Sequence, residues 1–304
     1  MRITFGKYIT KLAKKNKKIV LLTGDLGHGV FEELAESIGP RYINAGVAEH
    51  NMTTAAAGLA YTGMIPWIYS AAPFVTIKVL EEIRNDIAYP NNNVKIVGLG
   101  GGFDYGMLGP SHHVLQDISM MMSLPNMKIY APAIAEDLIP IMDRMVKHSG
   151  PDYLRLTKAE KVPLKFPIYK ACRNLAKGNK LTVIVLGSII KDVVVGILPL
   201  LKLNKIDLWV VSEMPFKIEK KLIDSIIRSK NLCVIEEHVR TGGLGEYISH
   251  SAVSSQLPVK KFTHLFATGY KTHHYGYRDF YLKENGLDKE SIKKTIKSLI
   301  KSTF

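Results

Sequence analysis

Short apolar runs of strand length alternate with segments of helical periodicity along most of the chain, and this alternation constrains the fold most strongly. The first half contains KIVLLTGDL, MIPWIYS and NVKIVGLG, and the second contains LTVIVLG, IDLWVVS and NLCVIEEH. Strands that are buried on both faces and joined by helices form parallel, doubly wound sheets. We therefore predict an α/β protein with two doubly wound domains, each a mostly parallel sheet flanked by helices.

A change of composition divides the 304 residues. Residues 158–179 are rich in proline and lysine, as a linker would be. We predict a first domain over 1–157, a linker over 158–179 and a second domain over 180–304. Within the first domain, helices are predicted over 74–89 and 112–124.

The bulk composition excludes several classes of protein. The net charge is +14, but the lysines are scattered, which is typical of a solvated surface, with attraction to an anionic ligand as the alternative. No basic stripe interleaves with aromatics, so nucleic-acid binding is not predicted. The longest apolar runs have strand length, so no membrane span is predicted. Two widely spaced cysteines and an N-terminus without a signal-peptide core predict a cytoplasmic protein with no metal pattern.

Two glycine-rich segments follow predicted strands. In GLGGGF the third glycine of a dinucleotide fingerprint would fall on Phe103, so a strand-end loop is predicted instead. GDLGHG is predicted to form a turn. The loop GMLGPSHHVLQD carries His112 and His113, which cannot both point the same way, so the pair does not predict a metal site. One histidine could face a ligand at a strand's carboxyl end.

Glu49 is the least expected residue in the segment NAGVAEHNMTTAAAGLA. It falls in the first turn of a predicted helix, where a carboxylate interacts favourably with the helix dipole. The rest of that helix is almost free of charge, which predicts burial on several sides. A carboxylate at its start would then face a crevice or another subunit.

Taken together, INAGVAEHNMTTAAAGLAYTGMIPWIYS, the GPSHH segment and IEEHVRTGGLGEYI resemble the transketolase superfamily of thiamine diphosphate enzymes. The chain is similar to the family's pyrimidine-binding and C-terminal domains but lacks the diphosphate-binding domain with its GDG…N magnesium motif. The resemblance implies the C-terminal subunit of a split transketolase. Thiamine diphosphate and Mg²⁺ would be shared with an N-terminal partner subunit that holds the metal, in an α₂β₂ assembly. The chain alone should be inactive.

The resemblance also implies roles for residues near the cofactor. Glu49 would hydrogen-bond N1′ of the aminopyrimidine and favour the tautomer whose 4′-nitrogen deprotonates thiazolium C2, with a pKa raised by burial. Phe74 would pack on the pyrimidine ring, or else belong to ordinary core, and Ile77 replaces a tyrosine of the pocket wall. His112 matches the histidine that faces cofactor and substrate. His113, which replaces a glutamine beside it, would also contact the substrate.

Positions that the resemblance assigns to the phosphorylated sugar depart from the family pattern. A family aspartate corresponds to Leu108 and an upstream histidine to Gly100. The phosphate-binding arginine aligns with Lys158, with Arg155 as a nearby competitor, and Arg2 matches a second phosphate-binding arginine. Lysine binds phosphate as a point charge without the bidentate fork. The identity of donor and acceptor sugars is therefore open.

The resemblance is compatible with three other functions. The beta subunit of a 2-oxoacid dehydrogenase has the same two domains and an equivalent glutamate. Deoxyxylulose phosphate synthase is a weaker rival, because that family normally carries both halves on one chain. A noncatalytic regulatory subunit could also keep the fold, although Glu49 would then be a costly buried charge.

Overall fold

The apolar runs form the strands of two sheets in the computed structural model, which describes residues 1–158 and 161–301. The strands are β1 (Ile19–Thr23), β2 (Tyr42–Asn44), β3 (Ile65–Ala71), β4 (Lys95–Leu99), β5 (Lys128–Tyr130), β6 (Asp152–Leu156), β7 (Cys172–Ala176), β8 (Leu181–Leu186), β9 (Ile206–Val211), β10 (Glu213–Met214), β11 (Asn231–Ile235) and β12 (Lys261–Leu265). Six of them, namely β1, β3, β6, β8, β9 and β11, are buried along their whole length, which explains their continuous apolar sequences.

Helices connect and flank these strands. They are α1 (Arg2–Lys15), α2 (Glu32–Ile38), α3 (Glu49–Tyr61), α4 (Leu80–Glu82), α5 (Asp117–Met122), α6 (Leu138–Lys147), α7 (Ile190–Leu201), α8 (Lys220–Ser229), α9 (Leu244–Ser254), α10 (Arg278–Glu284) and α11 (Lys289–Lys301). No helix among the described residues combines the length and apolar character that crossing a membrane requires.

Both sheets are mostly parallel, so the predicted fold class is confirmed. The first has the order β10-β5-β6-β4-β3-β1-β2 and the second β12-β11-β8-β9-β7. Only the pairings of β10 with β5 and of β7 with β9 are antiparallel among the described strands. After β1 the chain pairs β2 on one side and then β3 on the other. Such a switch point opens a crevice at the strands' carboxyl ends.

Two short strands lie in segments where no strand is predicted, and the division into domains stays a prediction. β7 lies inside the segment 158–179 and pairs with β9, with Cys172 opposite Val211. β10 belongs to the second half of the chain, yet Met214 pairs with Ile129 of the first sheet. Both are short edge strands, whose pairing depends on distant partners rather than on a long apolar run. Residues 159–160 and 302–304 of the predicted segments lie outside the described residues.

Two predicted helices are much shorter than expected. The segment 74–89 begins as turns, continues as α4 and ends as a π-helix over Ile83–Ala88. Its run of β-branched residues has low helix propensity, which favours the irregular start. The segment 112–124 becomes helical only at Asp117, because Val114 instead exchanges backbone hydrogen bonds with Gly102.

One apolar cluster joins the two sheets. Ile68 and Ile96 of the first sheet belong to the same buried cluster as Ile184 and Val234 of the second. The two halves therefore share a core and hold each other in position.

Candidate functional site

The crevice between β1 and β3 receives the first turn of α3. Glu49 is the first residue of this helix and only 1% exposed. A β-carbon at Gly24, just after β1, would lie 3.1 Å from Glu49 Oε1 and 2.9 Å from Ser70 Oγ. Glycine at position 24 therefore leaves room for the carboxylate at the switch point.

The carboxylate of Glu49 has two side-chain partners. Lys78 donates a hydrogen bond from Nζ to Oε2 at 2.7 Å, and Ser70 donates one to Oε1 at 3.2 Å. Burial alone would raise the pKa of Glu49, but the hydrogen bond and charge of Lys78, the backbone amide of the helix start and the hydroxyl of Ser70 together hold it below its usual value. The expectation of a raised pKa was therefore wrong for this chain, because the lysine stabilises the ionised form.

The predicted burial of α3 on several sides is only partly correct. The helix buries Met52, Ala56 and Ala57, but Ala55 and Gly58 lie on an exposed face. Glu49 is therefore a buried group at the start of a helix whose exposed side carries the small residues Ala55 and Gly58 together with larger ones such as Tyr61.

An aromatic wall stands beside the carboxylate. Phe74 is half-buried, and its ring meets that of His112 edge to face, with centroids 5.2 Å apart. Tyr105 meets His112 from another direction at 5.5 Å. The nitrogen Nζ of Lys78 lies 5.7 Å from the centre of the Phe74 ring. Lys78 therefore links Glu49 to Phe74, and Phe74 in turn contacts His112.

The adjacent histidines point in different directions. Nδ1 of His112 lies 3.0 Å from the hydroxyl of Ser111, and its ring faces the site. His113 is buried, with Nε2 3.0 Å from the carbonyl of Gly106 and Nδ1 3.1 Å from the hydroxyl of Tyr270. Burial lowers the pKa of His113. This placement favours a packing role for His113 between the two halves over the predicted contact with substrate.

The residues predicted to bind phosphate are not equally accessible. Arg155 is 5% exposed, its Nε lies 2.9 Å from Asp117 Oδ2, and it donates to the carbonyl of Glu237 at 3.0 Å. Lys158 is exposed and lines a cavity of about 330 Å³. Arg2 is also exposed and donates to the carbonyl of His28 at 2.5 Å. Lys158 and Arg2 can therefore reach an anion, whereas Arg155 is committed to an internal ion pair.

Gly100, Leu108 and Ile77, the positions at which the sequence departs from the family pattern, lie at the same edge of the site. A β-carbon at Gly100, whose φ is +78°, would come within 2.3 Å of the Tyr105 ring, so only glycine lets this tyrosine close the pocket. Burial raises the pKa of Tyr105 to about 12, partly opposed by the nearby charge of Arg2. Leu108 and Ile77 are 50% and 41% exposed, so both side chains face outward in this chain.

Sequence reasoning missed Lys78, Ser70 and Tyr105. A lysine within the apolar run FVTIKVL was a usable signal for the first, since such a charge needs a partner. Ser70 at the end of a strand and Tyr105 in a glycine-rich loop carried no comparable signal. Within residues 1–158 and 161–301, no three acidic, histidine or cysteine side chains form a group suited to hold a metal ion.

Comparisons with known proteins agree with this architecture. A family model described as "Transketolase, pyrimidine binding domain" matches residues 1–161. The chain is 33% identical over 311 residues to a putative transketolase C-terminal section of Methanocaldococcus jannaschii, covering 97% of this chain and 95% of that protein. It is 28% identical over 311 residues to a subunit of the apulose-4-phosphate transketolase of Phocaeicola vulgatus, covering 99% and 97%.

Two solved structures have the same fold. A structure described as "Split gene transketolase, inactive beta4 tetramer" superposes with a TM-score of 0.82 and 25% identity, covering 99% of this chain and 98% of that one. Transketolase from Campylobacter jejuni superposes with a TM-score of 0.80 and 16% identity, covering 98% of this chain and 46% of that one.

Proposed function

The chain belongs to the transketolase pyrimidine-binding family, and we propose that it is the C-terminal subunit of a two-component transketolase. Paired with an N-terminal subunit, it transfers a two-carbon ketol unit between phosphorylated sugars. The observation that carries the proposal is the buried Glu49 carboxylate beside the half-buried ring of Phe74. Relatives that span nearly the same length are described as a transketolase C-terminal section and as one subunit of a transketolase.

The residues present fit one end of thiamine diphosphate. A carboxylate that is 1% exposed can hold or share a proton at N1′ of the aminopyrimidine, and an aromatic face beside it suits a flat heterocycle. Glu49 and Phe74 would therefore hold the pyrimidine end, with Ile77 at the outer wall. When bound, thiamine diphosphate would supply a nucleophilic thiazolium carbon and an electron sink.

His112 is the histidine that we assign to the sugar. Its Nδ1 is engaged by Ser111, so Nε2 is the nitrogen that exchanges hydrogen bonds with sugar oxygens. We assign Lys158 and Arg2 to the sugar phosphate because both are exposed cations at the edge of the site. Arg155, through the carbonyl of Glu237, and His113, through the hydroxyl of Tyr270, instead keep the two halves of the molecule aligned.

We further propose that the partner subunit carries the GDG…N motif and holds Mg²⁺ with the diphosphate, in an α₂β₂ assembly, and that the chain is inactive without this partner. The exposed Ala55 and Gly58 on α3 would allow another chain to approach this helix closely. A cytoplasmic location is also proposed, since both cysteines are unpaired.

The test reconstitutes the chain with the N-terminal subunit encoded by a neighbouring gene. The complex should transfer ketol units from ketose phosphates only with thiamine diphosphate and Mg²⁺ present. Glu49→Gln should lower turnover by ~10²–10⁴-fold, the usual cost of losing a proton-transfer group. Glu36→Gln, an exposed substitution on α2, is the matched control.

Two results would contradict the proposal. Near-normal turnover of Glu49→Gln would remove the assigned role of the carboxylate. Activity with a 2-oxoacid and a lipoyl acceptor, but none with ketose phosphates, would identify a different reaction.

A further inference from the structure

Lys78 lies between the two groups that the proposed function assigns to the cofactor's pyrimidine. Its Nζ is 2.7 Å from Glu49 Oε2 and 5.7 Å from the centre of the Phe74 ring. A cation above an aromatic face and against a carboxylate is favourable on both sides. The ammonium group thus uses the same acceptor and the same ring that an aminopyrimidine would use.

The ion pair explains how Glu49 can be buried and ionised in the single chain. The side chain of Glu49 is 1% exposed, and that of Lys78 is 38% exposed. A buried carboxylate without a counter-charge is strongly disfavoured, so Lys78 stabilises this conformation of the chain. The lysine reaches inward from the surface, and its long, flexible stem can also place the ammonium in solvent.

We propose that Lys78 is an internal competitor for the cofactor site: it occupies the Glu49 carboxylate and Phe74 ring until thiamine diphosphate displaces it. This inference rests on the proposed function of Glu49 and Phe74. Part of the cofactor's binding free energy is spent on separating Lys78 from Glu49. In the lone chain Lys78 stabilises the buried, ionised Glu49, and the same ion pair lowers the affinity for the cofactor.

The expected effects follow from removing the ammonium while keeping the stem. In the reconstituted complex, Lys78→Met should lower the Kd for thiamine diphosphate about tenfold, which corresponds to ~1.4 kcal/mol. Lys78→Arg keeps the charge and should bind the cofactor like the wild type. In the lone full-length chain, Lys78→Met should lower the melting temperature by about 3 °C, because Glu49 loses its partner.

The experiment measures cofactor affinity and stability separately from turnover. Thiamine diphosphate is titrated calorimetrically into each reconstituted complex at fixed Mg²⁺, and thermal unfolding of each lone chain is followed by circular dichroism. Lys220→Met is the matched control, because it also breaks a lysine–carboxylate pair (2.9 Å to Asp224), but one that is largely exposed. Glu49→Gln with and without Lys78→Met completes a double-mutant cycle for the lone chain.

Three results together would support the inference. Lys78→Met binds the cofactor more tightly than the wild type, and Lys220→Met binds it like the wild type. Adding Lys78→Met to Glu49→Gln causes no further loss of stability. Unchanged or weaker cofactor binding by Lys78→Met, with normal binding by the wild-type complex, would overturn it and leave the proposed function standing. A wild-type complex that binds no thiamine diphosphate would overturn both.

Discussion

Asp104 is a buried carboxyl at the junction between the two halves of the chain. Its Oδ2 accepts a hydrogen bond from the backbone amide of Lys158 at 2.5 Å, and its Oδ1 lies 3.5 Å from Nε of Arg278. The same guanidinium serves Glu237 at 2.5 Å and Asp192 at 3.1 Å. Three carboxyl groups therefore share one arginine.

Burial and the nearby charge of Glu237 raise the pKa of Asp104 to about 7, against the pull of Arg278. In the unfolded chain an aspartate titrates near ~3.9. Between these pH values the folded state binds a proton that the unfolded state does not, so stability falls as the pH rises. Between about pH 5 and the pKa of the folded state, about two pH units, the free energy of unfolding falls by about 3 kcal/mol. Above that pKa it no longer falls on account of Asp104.

The substitution Asp104→Asn keeps an oxygen for the Lys158 amide but cannot titrate. The free energy of unfolding of this variant, minus that of the wild type, should therefore grow by about 3 kcal/mol between about pH 5 and pH 8. Urea denaturation followed by circular dichroism measures both values at each pH. Asp224→Asn, at an exposed carboxylate on α8, is the control. Equal pH dependence of the wild type and Asp104→Asn would refute the reasoning.

Two pairs of substitutions test separate parts of the structure. Arg173→Met should lower the free energy of unfolding by about 3–5 kcal/mol in urea denaturation, because it leaves the Asp137 carboxylate buried and unpaired. Arg144→Met breaks a half-exposed pair and should cost about 1 kcal/mol or less; equal losses would contradict this. His113→Ala should lower the free energy of unfolding by about 1–3 kcal/mol and leave the KM for the sugar phosphate unchanged. His112→Ala should instead lower turnover. If His113→Ala changed the KM without lowering stability, His113 would contact the substrate, as the sequence predicts.

Much of the fold follows from local sequence patterns. Runs such as IVLLT and LTVIVL are apolar at almost every position, and both form strands buried along their whole length. Gly39 follows α2 and Gly63 lies just beyond α3, both with positive φ, as is typical of glycines at helix ends. β7 and β10 could not be predicted in this way. Their positions depend on pairing with β9 and β5, which lie far away in sequence.

In the candidate site, too, some features could be predicted from the local sequence and others depend on the tertiary structure. The position of Glu49 at the start of a small-residue helix is legible in the sequence, because helix initiation and burial both follow from nearby residues. The ionised state of this carboxylate depends on Lys78, 29 residues further along the chain. The opposite directions of His112 and His113 likewise depend on Phe74 and Tyr270. Periodicity and propensity are local properties, whereas charge states and side-chain directions are set by contacts that exist only after the chain has folded.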